Sequence, residues 1–498
     1  MRGRPRCRSR PPPWTGLLME YPFGWIHVDL NLPPGRSYQH PFAEPGRRGR
    51  PARRSAGGPA SSKKERIIMS SFKRAFILTL AGLAFAGAAA GEICALDGRP
   101  GATLLLPYFE ASLALDPATG TRPHDTLVVL SNASRQGVIA QVVLWSEFGA
   151  AIYGFPVYLG GYDQQSFTLS EVVTTGTYPA TRLSSLARRR FPTCPAVLSG
   201  ATGRHMPLLA LPNQIGGLLA GTLTLGGSFR VARSRPGADF ARGYLTVDVV
   251  RDCTQGYPGS LGYFVANGQG VATNDNVLWG SYTYVDNTQD TPLTHTGRLV
   301  SLEASGADPR TSASGSYTFY KRFVGTTAAD NREPLGTNHA VHYFSGLADT
   351  EIIYWRDPLS VQAGTTAALP PWAPLGQVQA TLFDEEQTAC VLPAVGIEPF
   401  PVNAGKTALL PQGITFETTA LDSLDLCKLF GWVHLNLNHP NVGAAPIVSQ
   451  SWVGVLYRRA DGQAGMMDGM ELDSACAPNT DELRVPALPL VTGSPVRP

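Results

Sequence analysis

"GYLTVDVV", residues 243–250, and "GWVHLNL", residues 431–437, decide how this chain is read. Each opens on Gly and then sets Leu or Val alternately against Thr, Asp, His or Asn. That is the period-two pattern of a β-strand, whose successive side chains point to opposite faces. Outward from this pair, further cues recur in one order. "PYFE" with Tyr108 and Phe109 is answered by "HYFS" with Tyr343 and Phe344, and "DTLVVL" from Asp125 by "DTEIIY" from Asp349. "VIAQVVLWSE" ending at Glu147 is answered by "QVQATLFDEE" ending at Glu386, "FPV" at 155–157 by "FPV" at 400–402, and "LVSLEAS" from Leu299 by "GMELDSA" from Gly469. A shared order of cues predicts two units built on one pattern, at 91–306 and 340–478.

Between the paired cues the signals are short and β-rich. "TLVVLSN" (126–132), "VIAQVVLW" (138–145), "FPVYL" (155–159), "QSFTL" (165–169), "GYLTVDVV", "GSYTYVD" (280–286) and "RLVSLEA" (298–304) are rich in β-branched and aromatic residues, with Gly, Pro, Asn or Asp between them. The 53 Gly and 41 Pro suit many turns joining such elements. The best helical stretch is "PLLALPNQIGGLLAGTL" (207–223), weakened by Pro212 and its Gly pair. The expected fold class is therefore all-β: antiparallel β-sandwich, as two Ig-like sandwich units with a long insertion in the first. The insertion runs over about 172–240 and holds the cationic "LARRRF" and Cys194. "ASGADPRTSASG" (304–315) reads as a linker within a connecting segment, 307–339, and 479–498 as a C-terminal tail.

The first ninety residues have another character. Behind Met69, Lys73 and Arg74 precede an apolar run from Ala75 to Gly87, and Ala88, Ala89 and Ala90 follow. Charge, apolar run and small residues in that order make a secretory signal peptide at 69–90 with cleavage before Gly91. The run is shorter than the roughly 20 residues an α-helix needs to span a bilayer, so no permanent membrane span is expected there. Residues 1–68 carry 14 of the chain's Lys and Arg against 4 acids. A basic arm is of no use ahead of an export signal, and an upstream start of translation accounts for the lead.

Removing both segments reverses the charge. The whole chain is formally +3, but past residue 90 there remain 25 Lys and Arg against 34 Asp and Glu. Nucleic acid or an anionic membrane surface is then an unexpected partner, and a periplasmic or secreted location with an extracellular or envelope ligand is expected. Six cysteines remain in the exported part: Cys94, Cys194, Cys253, Cys390, Cys427 and Cys476. An even number in an exported chain predicts disulfides. Cys194 with Cys253 is the favoured pair, because it ties the insertion to the strand "GYLTVDVV".

Chemical motifs are scarce. HExxH, GxSxG, P-loop and SxxK patterns are absent, as is any CxxC, and "GQGVAT" (268–273) reads as a turn. His339 and His342 in "HAVH" fall on opposite faces of a strand and so do not share a metal. Two polar loops are candidates. "ATNDNVLWG" gathers Asn274, Asp275 and Asn276, whose oxygens suit Ca²⁺. "AADNREPLG" gathers Asp330, Asn331, Arg332 and Glu333 as a binding loop. For both the competing reading is structural: Asx residues build turns, and Arg332 anchors its loop to a carboxylate. Asp384, Glu385 and Glu386 alternate along a strand and do not pair for glycoside chemistry. Trp145, Trp279, Trp355, Trp432 and Trp452 suit a core better than a sugar platform.

At "GATLLLPYFE", "AQVVLWSEFG", "GYDQQSFTLSEV", "NDNVLWGSYTYVD" and "DNREPLG" the chain resembles a group of exported proteobacterial and acidobacterial proteins of unknown function. The resemblance covers most of the exported part, implies a Gram-negative source and transfers no catalytic residue. The expected function is that of an exported non-enzymatic binding or structural protein. A secreted hydrolase, carbohydrate-active for instance, is the competing class.

Overall fold

The computed structural model describes residues 98–199, 211–225, 229–232, 239–265, 269–288, 293–325, 328–344 and 348–356, and then 364–365, 380–384, 386, 389–390, 404–406, 430–436, 450–459, 464–468 and 470–471. The basic lead, the signal segment, the second "FPV", Glu385, the tail, Cys94, Cys427 and Cys476 lie outside them. No helix among the described residues is long and apolar enough to cross a membrane.

Nine strands form two antiparallel sheets in the first half: β1 (Thr103–Ser112), β2 (His124–Asn132), β3 (Val138–Ser146), β4 (Ala151–Leu159), β5 (Gln164–Thr168), β6 (Phe240–Val250), β7 (Leu278–Asp286), β8 (Leu293–Arg298) and β9 (Val300–Leu302). Their orders are β9-β1-β6-β3-β4 and β8-β7-β2-β5. Nine more follow: β10 (Asn338–Phe344), β11 (Ala348–Arg356), β12 (Ala380–Asp384), β13 (Ala389–Cys390), β14 (Ala404–Lys406), β15 (Phe430–Asn436), β16 (Ser451–Arg459), β17 (Ala464–Asp468) and β18 (Met470–Glu471). Their orders are β18-β10-β15-β12-β13 and β17-β16-β11-β14. Adding nine to each label of the first pair of sheets gives the second pair. The strand order is repeated without exception.

Registers correspond except at one bulge. Leu106 faces Leu245 across β1 and β6, and Val341 faces Val433 across β10 and β15. Beyond that point β1 carries a bulge between Leu106 and Phe109, so Phe109 meets Gly243 where Tyr343 meets Gly431. Ser131 faces Trp279 across β2 and β7, and Trp355 faces Trp452 across β11 and β16. The echo of "VIAQVVLWSE" in "QVQATLFDEE" needs a shift of one residue: Trp145 faces Tyr244 as Phe383 faces Trp432, so Trp145 corresponds to Phe383.

The two sheets of the first half share an apolar core that includes Leu104 and Leu106 of β1, Val128 and Leu130 of β2, Val142 and Leu144 of β3 and Leu245 and Val247 of β6. The other face of the β1-β6-β3 sheet is covered as well. Leu105, Val143, Trp145 and Tyr244 pack with Ile353 and Trp355 of β11 and Trp452 and Leu456 of β16. Gly243 pairs with β3 at Ser146, and a Cβ there would lie 2.1 Å from the Trp145 carbonyl oxygen. Gly243→Ala must push the two strands apart, a strain of about 1–3 kcal/mol. A drop in thermal midpoint is expected, and an unchanged midpoint would contradict the close approach.

The insertion between β5 and β6 carries three short helices, α1 (Leu169–Thr175), α2 (Ser185–Arg190) and α3 (Ile215–Leu219). The last lies within the stretch the sequence marks as helical. Cys194, just after α2, is bonded to Cys253, just after β6, closing 59 residues of chain. Reduction is expected to cost about 2–4 kcal/mol by freeing the unfolded chain. Thermal unfolding with and without a thiol reductant checks this, and coincident curves would argue against a structural bridge. Cys390 lies on β13.

Residues 304–315 form more than a loose tether. They contain α4 (Pro309–Ser312), capped by the Asp308 side chain on the Arg310 N–H, and Thr311 is fully buried. After α5 (Lys321–Val324) the chain enters a buried strap, 329–341.

Candidate functional site

The strap carries the densest polar cluster. Asp330, Asn331 and Arg332 are 0% exposed and Glu333 3%. Arg332 reaches back into the first half. Its Nε donates to Thr103 Oγ1 at 3.1 Å, Nη1 to the Asp330 carbonyl at 2.6 Å and to Asn274 Oδ1 at 3.3 Å, and Nη2 to the Thr273 carbonyl at 2.7 Å. The guanidinium lies 5.1 Å from the Phe264 ring centroid. Beyond Thr103 is Asp248 of β6, fully buried, which accepts hydrogen bonds from Thr103, Tyr263 and Tyr320. Asp330 accepts from the Thr318 hydroxyl and from the Tyr320 and Arg332 N–H groups.

Burial pushes both carboxyls above the ordinary carboxylate range, and Arg332 together with the hydrogen-bond donors pulls them back. Tyr263 and Tyr320 are pushed well up by burial and by Asp248, so both phenols stay protonated and donate. The charged and phenolic groups here are hydrogen-bonded to one another or to the backbone, while Asn274 Nδ2 is buried without a hydrogen-bond partner. The cluster is a buried bolt between the connecting segment and the first repeat.

The four residues of the candidate binding loop, Asp330, Asn331, Arg332 and Glu333, are thus buried. Those residues anchor the strap: Glu333 accepts the Glu303 N–H through Oε1, and Asn331, at φ 64°, holds the left-handed turn that Asn tolerates best among larger residues. The calcium reading of Asn274, Asp275 and Asn276 meets a physical obstacle. Asn274 Oδ1 faces the Arg332 guanidinium, whose charge repels a dication at the same place. Asp275 accepts the Thr273 hydroxyl, and Asn276 exchanges two bonds with Ala304. His339 is buried against Ser451 Oγ at 2.9 Å while His342 is exposed, as strand alternation requires. Trp145 and Trp355 are core residues at 1% exposure each. Cys194, Cys253 and Asp252 come together, but the disulfide leaves no thiolate for a metal.

A second cluster lies at the rim of a crevice between the halves. Glu110 of β1, 1% exposed, accepts from Tyr108, from Arg242 Nε at 2.8 Å and from Tyr284 at 2.7 Å. Burial and Glu110 push Tyr284 well up. His124 Nδ1 lies 3.3 Å from the Tyr284 hydroxyl and 3.7 Å from Asp286 Oδ1. Ser112 Oγ is nearby, bonded at 2.8 Å to the His124 backbone N–H rather than to its ring. The crevice is walled by Pro107, Tyr108, Tyr282, Tyr284, Trp452 and Leu456 among others. Its free space is about 10 Å³, room for one water and far short of a sugar ring.

The sequence did not foretell this second cluster, since Glu110, His124 and Asp286 lie on three strands with no shared motif. No protein-family model matches the chain, and no curated protein or solved structure matches it significantly. The site must be read from its own geometry.

Proposed function

We propose that this is an exported, periplasmic or secreted protein of two Ig-like β-sandwich repeats that acts by binding or structural support and not by catalysis. The observation that carries this reading is the state of its carboxylates. Asp248, Asp330 and Glu110 are 0–1% exposed, and each accepts bonds from three different residues of the protein. A general base needs a lone pair directed at a substrate that can reach it, and these groups are shielded from solvent and turned toward donors of the protein itself. The Cys194–Cys253 bridge suits an oxidising compartment, as does the signal at 69–90. The likeness to exported Gram-negative proteins points the same way.

Among the described residues, the competing hydrolase has its best place where Ser112, His124 and Asp286 approach one another. The test is a broad panel of esterase, peptidase and glycosidase substrates run beside glycan and envelope-component binding arrays. Binding without turnover is expected. Turnover that disappears in His124→Gln or Asp286→Asn would overturn the proposal. N-terminal sequencing of material exported from a chain begun at Met69 should read from Gly91.

A further inference from the structure

The charge balance past residue 90 is acidic, yet the cations are not evenly spread. On α2, Ala187 is buried and Phe191, one turn on, is buried behind it. That orientation leaves Leu186, Arg189 and Arg190 together on the outer face at the i, i+3, i+4 spacing, with Arg188 exposed beside them. Leu186 is 75% exposed. Arg182, on a two-residue strand, Thr181–Arg182, ahead of the helix, is exposed too. Arg190 donates to Gln136 at 2.7 Å, which brings the 133–137 turn and its exposed Arg135 alongside. Among the described residues, Arg135, Arg182, Arg188 and Arg189 have no carboxylate partner. The neighbouring Asp252 is occupied by the Thr193 and Cys253 N–H groups.

The platform is stiff. Ser184 caps the helix by accepting the Ala187 N–H, and the Cys194–Cys253 disulfide fixes the chain four residues past its end. A helix this short and basic, held rigidly with an apolar side chain outermost among arginines, has no use for its own fold in that exposure.

We propose that this face, Leu186 with Arg182, Arg188, Arg189 and Arg190, docks the protein on an anionic phospholipid surface. The arginines lie against headgroup phosphates and Leu186 enters the acyl boundary. A purely polyanionic partner would explain the arginines but not the exposed leucine. Net negative charge elsewhere does not forbid contact, because charges beyond a Debye length of about 8–10 Å are screened.

The test is co-sedimentation with vesicles of phosphatidylethanolamine and phosphatidylglycerol, and with vesicles of phosphatidylcholine alone. The protein is expressed from Met69, which omits the 14 cations of residues 1–68 and nothing of the described structure. Binding is expected only to the anionic vesicles, and it should vanish at 1 M salt, where the Debye length is about 3 Å. Each arginine is expected to contribute about fivefold, so R188Q/R189Q should weaken partition by about 25-fold. Leu186→Gln should weaken it by about tenfold without changing the salt dependence. These side chains are exposed, so unchanged thermal midpoints are expected in the variants. Equal binding to both vesicle types, unchanged partition of the double variant, or retention on heparin or DNA without vesicle binding would each overturn the proposal.

Discussion

Replacing Arg332 with Met is expected to cost about 3–5 kcal/mol, the penalty of removing one partner from a buried charged cluster. The methionine fills similar space, so lost packing contributes little. What remains is Asp248 and Asp330, each fully buried, deprived of the guanidinium that acts on both. The cost should depend on pH in a defined sense. Burial already raises both carboxyls above their unfolded value, and without Arg332 they rise further. Between the unfolded value near 4 and the raised folded value, the native state holds more protons than the unfolded state, so stability falls as pH rises through that window. The variant should therefore lie closer to wild type at pH 5 than at pH 8. Urea unfolding at the two pH values measures it, and an equal deficit at both would mean that the carboxyls do not sense the guanidinium.

The second large effect concerns Trp355. Its indole is 1% exposed, stacks on Phe319 with centroids 5.6 Å apart and meets Tyr244 edge-on at 5.9 Å. It thus joins β11, the connecting segment and β6. Trp355→Ala is expected to cost about 3–5 kcal/mol, since the surroundings cannot close over so large a void. Trp279 stands on β7 and faces Ser131, the position that corresponds to Trp355, but it is only half-buried, with Arg298 5.9 Å from its ring centroid. Trp279→Ala should cost much less. Paired chemical denaturation of the two variants checks the contrast, and similar losses would contradict the packing described.

These residues also mark what a sequence can and cannot disclose. β6 was legible from its alternation, and its partner β15 from the same alternation, so the all-β class and the repeated order of cues followed. β1 was not read as a strand, because Pro107 interrupts it and both its faces are buried, which erases alternation. The proline stands at the bulge between Leu106 and Phe109, where a missing N–H is tolerated. Thr246 and Asp248 of "GYLTVDVV" look like a solvent face. They are covered instead by the strap and the second half, and a strand pattern carries no sign of what lies beyond its own sheet. The Cys194–Cys253 pair was legible because an insertion must be tied down. The Arg332 cluster was not, because Thr103, Asp248, Tyr263, Tyr320 and Arg332 are spread over 229 positions.

The most direct test of a strap that leads into the second repeat and is bolted to the first by the Arg332 cluster is equilibrium urea unfolding, followed by tryptophan fluorescence and by far-ultraviolet circular dichroism on wild type and Arg332→Met. Coincident single transitions are expected for wild type, and separated transitions for the variant, as each half unfolds by itself. Two separated transitions in wild type, or an unsplit and unshifted transition in the variant, would contradict the account.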